Sequence, residues 1–414
     1  MANSFSKDKM AVLFEELADS TSLNLTLSRD LKTWDMGELA NDGRTVENGG
    51  TADIVFLPQE YRFTVQDGYE STSADLQDLT DRNIPVRRNK SQMVLAQIKT
   101  KDLRDPQRLA RARDGIAKDI ANAVDAYAYR TMRDWANLTV AIAGDISYDD
   151  AILAESEMLN HGLGRYDKKL LLSIPHYNKI AKALQTANRE TAVDGALRRA
   201  QVGNLSTFDT MRAEYIDQLA GNTTATLTVN GTQSHTVATY KADGFFQDNR
   251  SMTLSITNAT AANFPVGTKF TIAGVNALNP ESRTDNGQLQ TFTVLSSTTG
   301  SAVISPAIVT TGPYRNCTAA AGTGEAIVIL NAKKNAASLF YTPESTVLVP
   351  GILPVAAEAG GVNTFTGTTS NGLPLRTTMW WDPHGEALNI KTVIFYDVAV
   401  LQPNQVGVLL DKQA

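Results

Sequence analysis

One cysteine, Cys317, stands in 414 residues, so no disulfide can form within the chain and no Cys-rich zinc site or CxxC pair exists. Synthesis in a reducing cytoplasm fits that usage. Histidine is almost as scarce: His161, His176, His235 and His384 are scattered over different predicted elements. The expectation is that each is a surface or helix-end residue with no metal or catalytic role. No apolar run approaches the roughly 18 residues of a membrane-crossing helix. The N-terminal apolar patch is interrupted by Glu15, Glu16 and Asp19, so it is not read as a secretory segment. A basic surplus is missing too. The formal net charge is −6, which argues against a dedicated nucleic-acid binder. There is no GxxxxGK[ST], no GxGxxG after a strand, no HExxH and no GxSxG.

The most informative shortage is local. Between Gly221 and Leu330 only 10 of 110 residues are charged and 21 are threonine, whereas the rest of the chain holds 72 of its 82 charges. Strands are expected at 224–230, 251–257, 268–274, 290–296 and 301–305. They are separated by turn chemistry at Asn230-Gly231, Asp243-Gly244, Asn286-Gly287 and Thr299-Gly300. Such spacing implies a small barrel or sandwich. Loops 240–250 and 276–289 hold 7 of the 10 charges. A β-rich block inside a more helical sequence reads as a module inserted in a host loop whose ends lie close together.

The host reads as α+β. Residues 8–19 form a short amphipathic helix, and residues 20–52 read as an extended arm with little core of its own. Strand candidates at 52–57, 61–65, 84–88 and 93–100 frame an acidic, turn-rich stretch, 68–80, as in a long polar hairpin. Asp105 and Pro106 open the longest helix, to about residue 135, with Leu109, Ile116, Ile120, Val124, Tyr127 and Met132 on one stripe. Asp149 and Asp150 cap a second helix ending near Gly162, 169–173 is a buried strand, and Ser173 and Pro175 start a third helix to about Asn188. Residues 189–215 read as irregular. The segments IVILNA, SLFYT, STVLVP, LRTTMWW and TVIFYDVAVLQ read as strands of a central sheet, with a Gly/Thr-rich loop at 359–374.

Arg104, Arg108, Arg111 and Arg113 crowd the positive end of the long helix, where cations are unfavourable. The hairpin tip is acidic, with Asp67, Glu70, Asp75, Asp78 and Asp81. This complementarity points to salt bridges between subunits, with a solvated face or nucleic-acid contact as the alternatives. Asp243 and Asp248 are too sparse for a calcium loop and read as solvated turn residues. Cys317 reads as an inert thiol.

The order of these elements resembles the major capsid proteins of tailed double-stranded DNA phages, which share the Hong Kong 97 fold. It is most similar to the coat proteins of Salmonella short-tailed podoviruses, with their inserted telokin-like β domain. The segments that carry the resemblance are KDLRDP (101–106), ANAVDAYAYRTM, DNR (248–250), GTKFTIAGV (267–275), TFTVL (291–295), ISP (304–306) and VILNAKKNAASLFYT (328–342). It implies an N-arm at 1–35 and a peripheral domain at 36–54 and 91–140 with spine helix 106–135. It implies an E-loop at 55–90, an axial domain at 141–217 and 333–414, and the inserted β domain at 218–332. It further implies a non-enzymatic shell subunit without cofactor or metal, in hexamers and pentamers around double-stranded DNA that is not bound by sequence. Partners would be a portal protein and a separate scaffolding protein, since no propeptide-like domain is seen. Glu15, Glu16 and Asp19 are the candidate scaffold-docking face. Arg104, Arg108, Arg111, Asp67, Glu70 and Asp75 are candidate subunit contacts. So are Asp243, Asp248 and Arg250, in a loop expected to cross a twofold axis, while loop 276–289 is expected to pack on its own subunit. The alternative reading is a carbohydrate-binding or adhesin-like phage protein with the insert as its binding module.

Overall fold

The computed structural model describes residue 17 and residues 25–34, 46–48, 52–58, 62–63, 83–87, 90–99, 106–187, 205–222, 226–237, 248–351, 362–369 and 371–413. The chain clusters into two compact units. One comprises Met1–Phe56, Pro85–Tyr129 and Thr346–Ala399, the other Leu57–Ile84, Arg130–Ser345 and Val400–Ala414.

In the first unit, a six-stranded sheet runs in the order Lys32–Thr33, Thr346–Pro350, Ala387–Val400, Pro374–Asp382, Val362–Thr368, with Ser91–Lys99 also paired to Ala387–Val400. The expected loop 359–374 is therefore corrected. Val362–Thr368 pairs antiparallel with Pro374–Asp382 from Val362↔Trp380 to Thr368↔Pro374. Its threonines are β-branched and suit a pleated surface, so residues 362–368 form strand and not loop, and Gly372 beyond them takes φ +79°; residues 359–361 of the expected loop lie outside the described residues. Elsewhere in this unit Val46–Asn48 pairs with Ala52–Pro58. The long helix Pro106–Trp135 buries Ile116, Ile120 and Val124 along one line at four-residue spacing. The arm is also corrected at 25–31. Leu25, Leu27 and Leu31 are buried, and Leu27–Asp30 is a helical turn. The cause is long-range: the buried carboxylate of Asp125 accepts hydrogen bonds from Thr26 N (2.7 Å), Thr26 Oγ1 (2.8 Å) and Ser28 N (2.9 Å). Those are the amides a helix start leaves unpaired. Of the expected helix 8–19, only Leu17 is among the described residues, and it is helical and buried.

The second unit holds a mixed five-stranded sheet, in the order Leu138–Ala141, Val406–Leu410, Ser338–Tyr341, Lys168–Ser173, Phe208–Ala213. Its inner strands read as continuous apolar runs because they are buried on both faces. Phe208–Ala213, in the stretch expected to be irregular, pairs parallel with Lys168–Ser173. Its sequence FDTMRA lacks alternation, and an apolar neighbour strand supplies the pairing. The helix Tyr148–Asn160 is capped by Ser147 in a reciprocal box with Asp150, not by Asp149.

Within this unit lies a closed six-stranded barrel, ordered Leu227–Val229, Met252–Thr257, Ser301–Ser305, Asp285–Thr298, Lys269–Leu278, Ala326–Ile329. The last strand, expected in the closing sheet, instead seals the barrel by pairing with Leu227–Val229 and Lys269–Leu278. Closure removes the exposed edges that a five-stranded module would leave. Phe264, Phe270 and Phe292 fill the interior, with centroids 5.0 Å and 5.5 Å apart. The expected turns at Gly231, Gly287 and Gly300 adopt positive φ.

Candidate functional site

The barrel enters and leaves its host side by side. Gln218–Leu219 pairs antiparallel with Asn335–Ala336, and Asn222 N donates to Asn331 O at 2.8 Å. Asn331 closes the stem by donating to Ala220 O and accepting from Lys269 N, both at 2.9 Å. At Gly221 a Cβ would fall 2.5 Å from Lys334 N and 2.6 Å from Lys333 C, so the crossing strands leave room for glycine alone.

A second attachment uses the end of the long helix. The final carbonyls of a helix lack partners within it, and its C-terminus is the negative end of the dipole. Lys269, fully buried, delivers its ammonium there: Nζ donates to Arg133 O (2.7 Å), Ala136 O (2.8 Å) and Thr293 Oγ1 (2.9 Å). Thr293 Oγ1 in turn donates to Ala136 O at 2.6 Å, and Thr291 Oγ1 donates to Asn137 O. Burial pulls the Lys269 pKa down to about 7, with Asp134 raising it and Arg133 lowering it less strongly.

Arg250 makes a third attachment. Nε and Nη2 grip Asp248 at 3.0 and 2.7 Å, Nη1 donates to Val400 O at 2.5 Å, and the guanidinium lies 4.2 Å over the Trp135 ring. Asp248 and Arg250, expected at a subunit contact, are thus joined to each other and to their own chain. Arg108 and Arg111 are exposed on the long helix. Arg104, Asp67, Glu70, Asp75, Asp243, Glu15, Glu16 and Asp19 lie outside the described residues.

The turn after Leu278 packs on its own chain. Arg62 Nη1 reaches Pro280 O (3.4 Å), Arg283 Nη2 reaches Phe63 O (3.2 Å), and Asn286 Nδ2 reaches Asn160 O (2.8 Å) at the end of helix Tyr148–Asn160.

Two histidines stand at helix ends, as expected, and both are buried there. His161 is buried at the end of its helix, and burial lowers its pKa. His176 is also buried. Its Nδ1 lies 2.8 Å from Ser338 Oγ, and its Nε2 lies 3.1 Å from Asp411 Oδ1. Lys179 Nζ holds the other Asp411 oxygen at 2.5 Å. Nδ1 is within hydrogen-bonding distance of the serine hydroxyl, whereas Nε2 and Asp411 Oδ1 meet closely without forming a hydrogen bond. The order serine, histidine, aspartate matches a hydrolytic triad, but all three groups are sealed in the core. None of them lines the cleft of about 130 Å³ that Arg62, His161, Arg250, Tyr314 and Arg315 border. The cluster's work is to bind the C-terminal segment to the sheet. Cys317 is buried, and burial pushes its thiol up to about 12.

The family model described as P22 coat protein, gene protein 5, matches residues 1–411. The chain belongs to the P22 coat protein family. That places it among the structural major capsid proteins of tailed phages, here with an α+β chain that carries an inserted barrel. Among solved structures, this coat protein is similar to the CUS-3 coat protein I-domain at 36% identity, covering 26% of this chain and 97% of that one with a TM-score of 0.23. It is similar to a chain from Mycobacterium phage Che8 at 9% identity, covering 93% and 90% with a TM-score of 0.46. It is also similar to a chain from the capsid of cyanophage P-SCSP1u at 9% identity, covering 93% and 90% with a TM-score of 0.43. No curated protein matches the chain.

Proposed function

We propose that this coat protein forms hexamers and pentamers around a separate scaffolding protein and a portal, in the host cytoplasm, and that the finished shell holds DNA without reading it. The observation that carries the reading is the family match over residues 1–411. In it, residues 1–35 serve as an N-arm, and 55–90 as an extended loop laid over a neighbouring subunit. Residues 36–54 and 91–140 form the peripheral domain, and 141–217 with 333–414 the axial domain. The insert at 218–332 stabilises its own subunit, and three attachments of the barrel to its host support that role. Arg104, Arg108 and Arg111 meet acidic residues such as Asp67, Glu70 and Asp75 of another copy. Glu15, Glu16 and Asp19 receive a basic segment of the scaffold. A net charge of −6 suits an inner wall that repels phosphate. Met93 and Leu95 are strongly exposed on strand Ser91–Lys99, as expected of surfaces that other copies cover.

The carbohydrate-binding alternative needs rings free to stack on sugars. Phe264, Phe270 and Phe292 are instead consumed by the barrel interior. Electron microscopy of the protein expressed with and without a scaffolding partner tests the proposal. Closed shells of uniform diameter with the partner, and aberrant or absent shells without it, are expected. Monomers in both samples overturn it.

A further inference from the structure

The cleft of about 130 Å³ in the second unit is bordered by charge of one sign. Arg62, Arg250 and Arg315 stand on it, and among the described residues no aspartate or glutamate does. The carboxylates next to it in sequence are turned elsewhere. Asp248 grips Arg250, and the Glu281 side chain lies beside Gly162. His161, also on the border, is held towards its neutral form by burial. The positive charge of the cleft therefore comes from arginine alone, a local exception to a chain of net charge −6.

The three arginines differ in what they have left to give. A guanidinium carries five N–H donors in one plane. Arg250 engages all three of its nitrogens, and Asp248 neutralises it. Arg62 spends one donor, from Nη1 to Pro280 O at 3.4 Å. Arg315 spends two, from Nε to Cys317 O and from Nη2 to Thr318 O, both at 3.3 Å. Those acceptors are neutral carbonyls. They orient the two guanidinium groups and leave their charges unpaired. Neither Arg62 nor Arg315 forms an ion pair among the described residues, and both are half-buried. A cation drawn out of water without a counter-charge is costly.

We propose that this cleft binds one small oxyanion, inorganic phosphate, through the guanidinium groups of Arg62 and Arg315. Their planar forks suit an oxyanion, which accepts paired, charge-assisted hydrogen bonds. A cleft of this volume takes a single such anion and has no room for a nucleic-acid duplex. Its border also includes Pro280, Asn316 and Gln402, so it gathers stretches that are far apart in the chain. An anion bound there stabilises the folded subunit, because the unfolded chain has no such site. The site belongs to the free subunit and does not depend on shell assembly.

The full chain, as free subunits at neutral pH, is titrated with sodium phosphate by calorimetry. Sodium chloride holds the ionic strength constant, and thermal melting is followed over the same series. Saturable binding of one phosphate is expected, with a melting temperature that rises and levels off in step. Arg62→Gln and Arg315→Gln are each expected to weaken binding about tenfold. Lys118→Gln, exposed on the long helix, should bind as the wild type does. Melting in chloride alone reports how well each variant folds, and each is judged by its own rise in phosphate. Arg315→Lys is the milder variant: it keeps the charge and loses the fork, and weaker binding is again expected. Absence of saturable binding in the wild type overturns the proposal. So does a rise of equal size in every variant, which is the general exclusion of phosphate from protein surfaces. Saturable binding that survives all three arginine substitutions places the anion elsewhere and overturns it too. Displacement of phosphate by a short oligothymidine without terminal phosphates overturns it in favour of a DNA strand.

Discussion

Lys269 reaches across from the barrel to hold the carbonyl of Ala136 at 2.8 Å, just past the last turn of the longest helix. A charge buried this completely is costly unless each of its protons has an acceptor. Here three acceptors converge on it, two of them carbonyls at the negative end of a helix.

Replacing Lys269 with methionine keeps the volume and removes the donors. The orphaned acceptors are expected to cost about 1–3 kcal/mol in urea unfolding. The pH dependence has a definite sign. The folded pKa is lowered from 10.5 to about 7 by burial. Between those values the unfolded chain binds more protons, so this group makes stability rise as pH increases from about 7 towards 10.5. The K269M variant should lack that rise. A wild-type stability that is flat over the same range counts against the assignment.

Gly221 allows the two strands of the stem to cross. Gly221→Ala sets a methyl against the backbone of Lys333 and Lys334, which cannot swing aside as a side chain could. A loss of about 1–3 kcal/mol is expected from such overpacking. The readout is thermal melting of the isolated subunit, and an unchanged melting temperature contradicts the close approach.

His176 ties acid stability to the C-terminal segment. Burial lowers its pKa below 6.5, outweighing the pull of Asp411 towards protonation. Below 6.5 the unfolded chain gains a proton that the folded chain resists, so stability falls as pH drops through that window. His176→Gln should flatten this acid limb. Denaturant midpoints measured from pH 7 down to 4 decide it.

Arg250 and Arg111 separate folding from assembly. Arg250→Lys keeps the charge but loses the planar fork on Asp248 and the flat contact with Trp135. The isolated subunit is expected to lose about 1–2 kcal/mol, in keeping with the small worth of partly buried charged contacts. Arg111 is exposed, so Arg111→Glu should leave subunit melting unchanged while reducing shell yield. Full shell yield removes Arg111 from the contact surface.

The composition of residues 221–330 made the insert and its β character legible, because low charge and frequent threonine are local properties. The stripe Ile116, Ile120, Val124 likewise announced the long helix. Closure of the barrel by Ala326–Ile329 was not legible: a four-residue apolar run looks the same in a barrel as in an open sheet. Lys269 offered a clue, as a lone cation in the apolar strand KFTIAGVNAL, but the two carbonyls that it holds lie over 130 residues earlier in the chain. The burial of His176 depended on Ser338 and Asp411, which converge only through strand pairing. Arg250 was legible as a charged loop residue, yet its partner choice was fixed by Trp135 and Val400.

The stem and the seat together bear on how such a chain could have acquired its guest. Because Gln218–Leu219 and Asn335–Ala336 already pair, the host strands could be joined by a tight turn with the barrel cut out. The helix would then end in bare carbonyls at Arg133 and Ala136. A chain lacking the barrel would have to finish that helix with water or with a cap of its own, so the barrel is part of how the host's longest helix ends.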